Sequence, residues 1–236
     1  MKEIINTIKL DFITVKGKSF IPLIFCMLIM FTTSLFTLAH LITMMAVFAG
    51  FAVQPVFAVA EQSGYNKLYG ILPIRKHNIV FGRFAFGLVL ILAVTLISIP
   101  LGYIANTVPL GGNIDSLKDF IYVSNEWQTG GFTIELMASF CFFFGCCFAA
   151  ATYTLLFIFG VSKEIPATFG FLIVSGVLVF LLNKVFKFDF GVFMQSMGTA
   201  IANHSILTMI ALYLGGTAIM LFGASISNFF FCNREL

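Results

Sequence analysis

Apolar residues come in long unbroken runs, and polar residues are confined to short segments between them. Ser19 to Ala60 holds no charged side chain over 42 positions. One helical crossing of a bilayer takes about 20 apolar residues. This run therefore predicts two spans joined by a tight turn near Thr37 to His40, with His40 as a surface histidine at that turn. Phe84 to Ile104 predicts a third span with Pro100 near its outer end. Phe132 to Phe159 predicts a fourth, long enough to tilt. Ala167 to Leu182 predicts a fifth and Ser205 to Ser225 a sixth. The expected spans are about 20–36, 41–60, 84–104, 132–159, 167–182 and 205–225, in one transmembrane domain covering 1–236. The runs lack the alternation of a membrane strand, so the expected class is an all-α polytopic membrane protein with six transmembrane helices.

The polar segments complete the layout. In Met1 to Lys18 the residues Ile4, Ile5, Ile8, Phe12 and Ile13 recur at helical spacing, with Lys2, Lys9 and Lys16 on other faces. This predicts an N-terminal interfacial helix lying at the membrane surface. Asn106 to Gly131 is the longest polar loop. Asn183 to His204 is a second one, with Phe186, Phe188, Phe190 and Phe193. Glu61 to Arg83 is the remaining long break, between spans two and three.

Charge sets the orientation. With the N-terminus inside, ten of the thirteen Lys and Arg residues fall on inner segments: Lys2, Lys9, Lys16, Lys18, Lys67, Arg75, Lys76, Arg83, Lys163 and Arg234. Only Lys118, Lys184 and Lys187 fall outside. The acids divide evenly between the two sides. Because the asymmetry lies in Lys and Arg, both termini and the 61–83 stretch are expected to be cytoplasmic.

Composition agrees with this class. Mean hydropathy is +1.04 and charged residues make up 10% of the chain, against about 25% in soluble domains. Cys26, Cys141, Cys146, Cys147 and Cys232 show neither disulfide nor metal-ligand spacing, and small apolar core residues are the expectation for those in the runs. No cleaved signal peptide is read at the N-terminus.

No catalytic constellation is apparent. The three histidines are far apart, no His-Glu-x-x-His occurs, and no span holds paired carboxylates. Intramembrane ionisable residues usually mark proton relays and ion-coupled sites; Ser19 to Ala60, Phe84 to Ile114, Ala138 to Ser162 and Gly191 to Asn233 hold no charged side chain, which argues against an ion-driven transporter and a membrane hydrolase. Gly17-Lys18-Ser19 lacks the earlier glycine of a phosphate-binding loop, since Phe12 stands in its place. The chain is thus expected to be no enzyme, with no metal and no cofactor of its own, and any work it performs needs energy from a partner.

Within 61–83, Tyr65, Leu68, Tyr69 and Leu72 share one helical face, of the kind that docks into a groove on a partner. Glu61 is expected at the start of this short helix, where the helix dipole favours an acid. Pro73 ends it. Arg75, Lys76 and His77 then meet the membrane surface, and Asn78 is expected to cap the third span. The spacing leaves two readings open: partner docking, or an ordinary loop whose charges set topology.

The run Leu72-Pro73-Ile74-Arg75-Lys76-His77-Asn78-Ile79-Val80, preceded by an acid at the end of span two and followed by Arg83, resembles the type-2 ABC transporter permeases of bacteria. Their usual segment carries a Ser or Thr before the Arg-Lys pair, which this chain lacks. The resemblance implies a permease subunit of an ATP-driven exporter in the bacterial cytoplasmic membrane. Two permease chains, as homodimer or heterodimer, would pair with two copies of a cytosolic ATP-binding subunit, which carries the ATP and Mg. It implies that 61–83 is a cytoplasmic coupling helix, with Glu61, Tyr65, Leu68, Tyr69, Leu72, Arg75 and Lys76 as the docking residues, and that the cargo is amphipathic or hydrophobic: a peptide, toxin, drug or lipid. It also makes 183–204 a candidate re-entrant segment, beside the plainer reading of an aromatic belt. Gly145, Ala149 to Ala151, Gly170 and Gly176 are expected at helix-packing contacts. The alternative function is a non-transporting scaffold, sensor or immunity protein that binds a cytosolic partner through the same loop. No nucleic-acid partner is expected.

Overall fold

The structure, a computed structural model, describes residues 8–9, 11–13, 20–36, 39–62, 76–108, 133–160 and 205–232. Every regular element among them is helical: α1 (Phe20–Phe36), a 3-10 segment (Ala39–Met44), α2 (Met45–Ala49), a second 3-10 segment (Gly50–Val53), α3 (Gln54–Gln62), α4 (Lys76–Thr107), α5 (Ile134–Phe159) and α6 (Ser205–Cys232). Among the described residues four stretches are long and apolar enough to cross a membrane: Ala39–Val59, Lys76–Thr107, Ile134–Phe159 and Ser205–Phe231. The first apolar helix, with 17 residues, is about 25 Å long at 1.5 Å per residue, a little short of a 30 Å hydrocarbon core. The expected fifth span, the 109–132 part of the long polar loop and the 183–204 segment lie outside the described residues.

Close contacts fix the direction of each helix. Gly102 meets Ile134 and Gly87 meets Tyr153, so α4 and α5 are antiparallel. Ala46 meets Gly145, Gly50 meets Ala149 and Phe57 meets Phe157, so the 39–62 stretch runs parallel to α5. Gly216 meets Phe142, Gly223 meets Ala150 and Phe231 meets Phe157, so α6 also runs parallel to α5. Phe31 and Leu35 pack with Ala39, Ala105 and Ile134, which places the end of α1 beside the start of α5. The starts of α1 and α4 and the ends of α3, α5 and α6 therefore share one end of the bundle, here called the basic end because Lys76 and Arg83 lie there. Ile8 and Asp11 pack at the same end.

The second stretch departs from a plain span. Its interior winds as 3-10 helix at Gly50–Val53, and Pro55 explains why. Proline has no N–H to give the Phe51 carbonyl, and the Gln54 N–H takes that carbonyl instead, in an i to i−3 bond. The same stretch makes a crowded contact with α5 one turn earlier, where a Cβ on Gly145 would stand 2.5 Å from the carbonyl oxygen of Ala46 on α2. Gly145 and Ala149 thus act as the small residues that let two backbones approach.

Buried hydroxyls bond back to their own helices, as Thr95 does to the Ile91 carbonyl at 2.8 Å and Ser98 to that of Thr95 at 2.9 Å, so they add no unpaired polarity to the core. Thr133 caps α5 by accepting from the Leu136 N–H at 3.3 Å, and Gly160, with φ 80°, ends it. Cys141 and Cys146 are core residues as expected, whereas Cys26 lies on the exposed face of α1.

Several expectations need correcting. His40 is buried, 6% exposed, because the turn it occupies continues as 3-10 helix packed against α4 and α5. The third span begins no later than Lys76, so Asn78 lies inside α4 rather than capping it. Glu61 lies in the last turn of α3 and not at a helix start. The helix continues past the apolar run because no Gly or Pro interrupts it before Gly64. The N-terminal interfacial helix is not among these corrections: of its described residues Ile8 and Asp11 face the bundle, and Phe12 and Ile13 face outward, 47% and 70% exposed.

Candidate functional site

At the basic end, α3, α4, α5 and α6 converge on an aromatic cluster built around one cation. Phe57 on α3 meets Phe157 on α5 edge to face at 5.0 Å. Phe84 on α4 meets Tyr153 at 5.4 Å and stacks on Phe157 at 6.2 Å. Phe231 on α6 closes the cluster against Phe157 at 5.3 Å. Such pairs each contribute about 1 kcal/mol beyond their burial.

Arg83 lies about two turns into α4 and enters this cluster. The sequence places it among the inner-surface charges, but it is 4% exposed. Its guanidinium carbon sits 4.5 Å from the centre of the Phe57 ring and 5.7 Å from that of Phe157. Ring faces attract a desolvated cation by about 2 kcal/mol. Arg83 Nε and Nη2 are buried without hydrogen-bond partners.

Asp11 is the other buried charge at this end among the described residues. It is 1% exposed, and its Oδ2 is likewise without a hydrogen-bond partner. Burial pushes its carboxyl up to about 6 from an ordinary 3.8, while the positive charge of Arg83 pulls in the opposite direction. Desolvation outweighs the ion attraction here.

One helical turn further from the basic end, Tyr153 is fully buried, and its hydroxyl donates to the Gly50 carbonyl at 2.7 Å. In a 3-10 helix each carbonyl accepts from the N–H three residues on, so within Gly50–Val53 the Gly50 carbonyl already pairs with the Val53 N–H, and the tyrosine adds a second bond that ties α5 to the irregular winding. Sequence reasoning missed this tie; Pro55 within an apolar run was the signal for the winding alone.

On its other side α4 forms an apolar groove with α6, of about 230 Å³, lined by Phe81, Phe84, Ala85, Leu88, Met220 and Leu221 among others. At the far end of the bundle the Tyr103 hydroxyl donates to the Glu135 carboxylate, joining α4 to α5. Among the described residues no group of three or more His, Cys, Asp or Glu comes together as a metal site.

Of the expected docking residues, Lys76 opens α4 and is partly exposed. Glu61 belongs to α3, with its side chain outside the described residues. Tyr65, Leu68, Tyr69, Leu72 and Arg75 also lie outside them. The structure does bring the two helices flanking that segment to one end of the bundle, where Phe57 and Arg83 meet.

Several apolar helices packed around a small-residue seam define a multi-pass membrane protein. Residues 6–232 match the family model of the ABC-2 family transporter proteins, and the chain belongs to that family. No curated protein and no solved structure matches it. Membership makes the chain a membrane transport component, in a family whose permeases generally work with an ATP-binding subunit.

Proposed function

We propose that the chain is the transmembrane permease subunit of an ATP-driven exporter, energised by a separate cytosolic ATP-binding subunit that docks on the 61–83 segment. The family match over residues 6–232 carries this reading. The bundle supports it: α3 and α4 deliver the two ends of the segment to the same end as Ile8, Asp11 and the end of α6. The excess of Lys and Arg makes that end cytoplasmic. The apolar run Ala167 to Leu182 is long enough to supply a further crossing between the parallel helices α5 and α6, for six in all. The ATP and Mg belong to the partner subunit, two copies of which would serve a pair of permease chains.

Cargo with a large apolar part fits the apolar groove between α4 and α6. The strongly exposed apolar face of α6, with Ile206, Leu207, Leu214 and Phe222 between 65% and 72% exposed, suits lipid or a second permease chain.

The test is co-purification from mild detergent, followed by ATPase and transport assays on the reconstituted complex. A soluble ATP-binding subunit should be recovered with the wild-type chain and lost with the Tyr65→Ala, Tyr69→Ala double variant. Recovery of the chain alone under several detergents would favour a non-transporting scaffold, sensor or immunity protein. Unimpaired transport by the double variant would remove the docking role.

A further inference from the structure

We infer that Arg83 is a positioning residue that clips together the two helices flanking the 61–83 segment and ties both to α5. This deepens the docking reading above and rests on it for its mechanical consequence, though not for the clip itself. Phe57 lies on α3, the helix that leads into the segment. Arg83 lies on α4, the helix that leads out of it. Phe157 lies on the last turn of α5. The guanidinium of Arg83 is within 4.5 Å and 5.7 Å of the two ring centres, so one side chain touches all three helices. A segment whose two ends are held to a common post moves as one body. A push on it is then delivered to α5 rather than absorbed by splaying of α3 from α4.

The energetics favour a positional role over a stabilising one. Nε and Nη2 of Arg83 are buried and unbonded, as is Oδ2 of Asp11. Burying donors without acceptors is costly, and replacing buried charges by apolar side chains of similar volume is often neutral or stabilising. A methionine would fill the same space without unsatisfied donors. What it cannot supply is attraction to two ring faces, which holds the rings to one centre through small relative movements of their helices. Nor can it supply a charge for Asp11, which belongs to the N-terminal helical residues seated at the same end.

Hydrogen exchange read by mass spectrometry, on the full chain in lipid nanodiscs, tests the clip without any ATP-binding subunit. Arg83→Met should raise exchange on the order of tenfold in α3 and in the first two turns of α4 together. Exchange in 134–150 should stay unchanged, and the melting temperature should be equal or higher. Arg83→Lys, which keeps the cation, should restore most of the protection. A purely structural role predicts instead a lowered melting temperature with exchange raised throughout the bundle, and that result would overturn the inference. So would unchanged exchange in α3. Should Arg83→Met fail to fold, Phe57→Leu decides the matter, since it removes one ring face and keeps the charge; the same paired loosening is expected, and its absence counts against the clip.

The consequence for coupling is read separately on the complex with its ATP-binding subunit. ADP-vanadate should change exchange in 134–150 in the wild type. Arg83→Met should still co-purify with the subunit but lose that response. A retained response overturns the transmission role, whereas failure of the wild-type chain to bind any such subunit refutes the docking reading and leaves the nanodisc result standing.

Discussion

The hydroxyl of Tyr153 donates to the carbonyl of Gly50 across 2.7 Å, joining residues 103 positions apart. The bond ties α5 to the 3-10 stretch that Pro55 imposes, as a second bond to a carbonyl that the 3-10 winding already pairs with the Val53 N–H. Tyr153→Phe keeps the ring and removes only the donor. It should destabilise the chain by about 0.5–1.5 kcal/mol, the net worth of one buried hydrogen bond whose acceptor keeps its backbone donor. Thermal unfolding in detergent checks this, and a loss of several kcal/mol would show that the carbonyl has no donor but the tyrosine.

The small-residue seam gives a graded prediction. A Cβ on Gly145 would meet a backbone oxygen of Ala46 at 2.5 Å, whereas one on Gly215 would meet a Phe143 ring carbon at 3.2 Å. A ring can swing aside and a packed backbone cannot. Gly145→Ala should therefore cost about 1–3 kcal/mol and Gly215→Ala clearly less. Gly87→Ala, aimed at the Tyr153 ring at 2.6 Å, should fall between them. Equal melting temperatures for the first two would contradict the seam.

Asp11 makes the seat it shares with Ile8 sensitive to acid. Its carboxyl titrates near 6 when seated and near 3.8 when released, so the seated form holds its proton more tightly. Seating is then strongest below about pH 4, weakens as the pH rises through 6, and is weakest above that. Amide exchange of 8–13, corrected for its intrinsic pH dependence, should accelerate over this window. Asp11→Asn should abolish the effect. Arg83→Met removes the charge that pulls the carboxyl down, so the midpoint should move upward. A seat that tightens as the pH rises would refute the assignment.

At the far end of the bundle, the Tyr103 to Glu135 bond lies on exposed surface, with Tyr103 46% exposed. Tyr103→Phe should change stability by no more than about 1 kcal/mol, because water replaces the lost partner. A larger loss would mean that this end is less open to solvent than its exposure indicates.

The sequence by itself determined the class, the order of the apolar runs and the end of α5 at Phe159. Each follows from local chemistry: continuous apolar length demands a helix in hydrocarbon, and Gly160 ends one. The family was legible for the same reason, since the resemblance of the Leu72 to Val80 run to the type-2 ABC permeases depends on neighbouring residues alone, and the family model matches residues 6–232. The tertiary structure decided what becomes of Arg83, Asp11 and His40. Each looked like a surface group because a polar side chain at the edge of an apolar run is usually solvated. Whether it is solvated depends on which other helices arrive beside it, and Phe57, Phe157 and Tyr153 come from runs with no local tie to Arg83. Relative direction was legible, since alternate crossings make the fourth and sixth spans parallel. Which helices touch was not: only the pairing of Phe142 with Gly216, Ala150 with Gly223 and Phe157 with Phe231 seats α6 along α5, and such contacts depend on residues far apart in the chain.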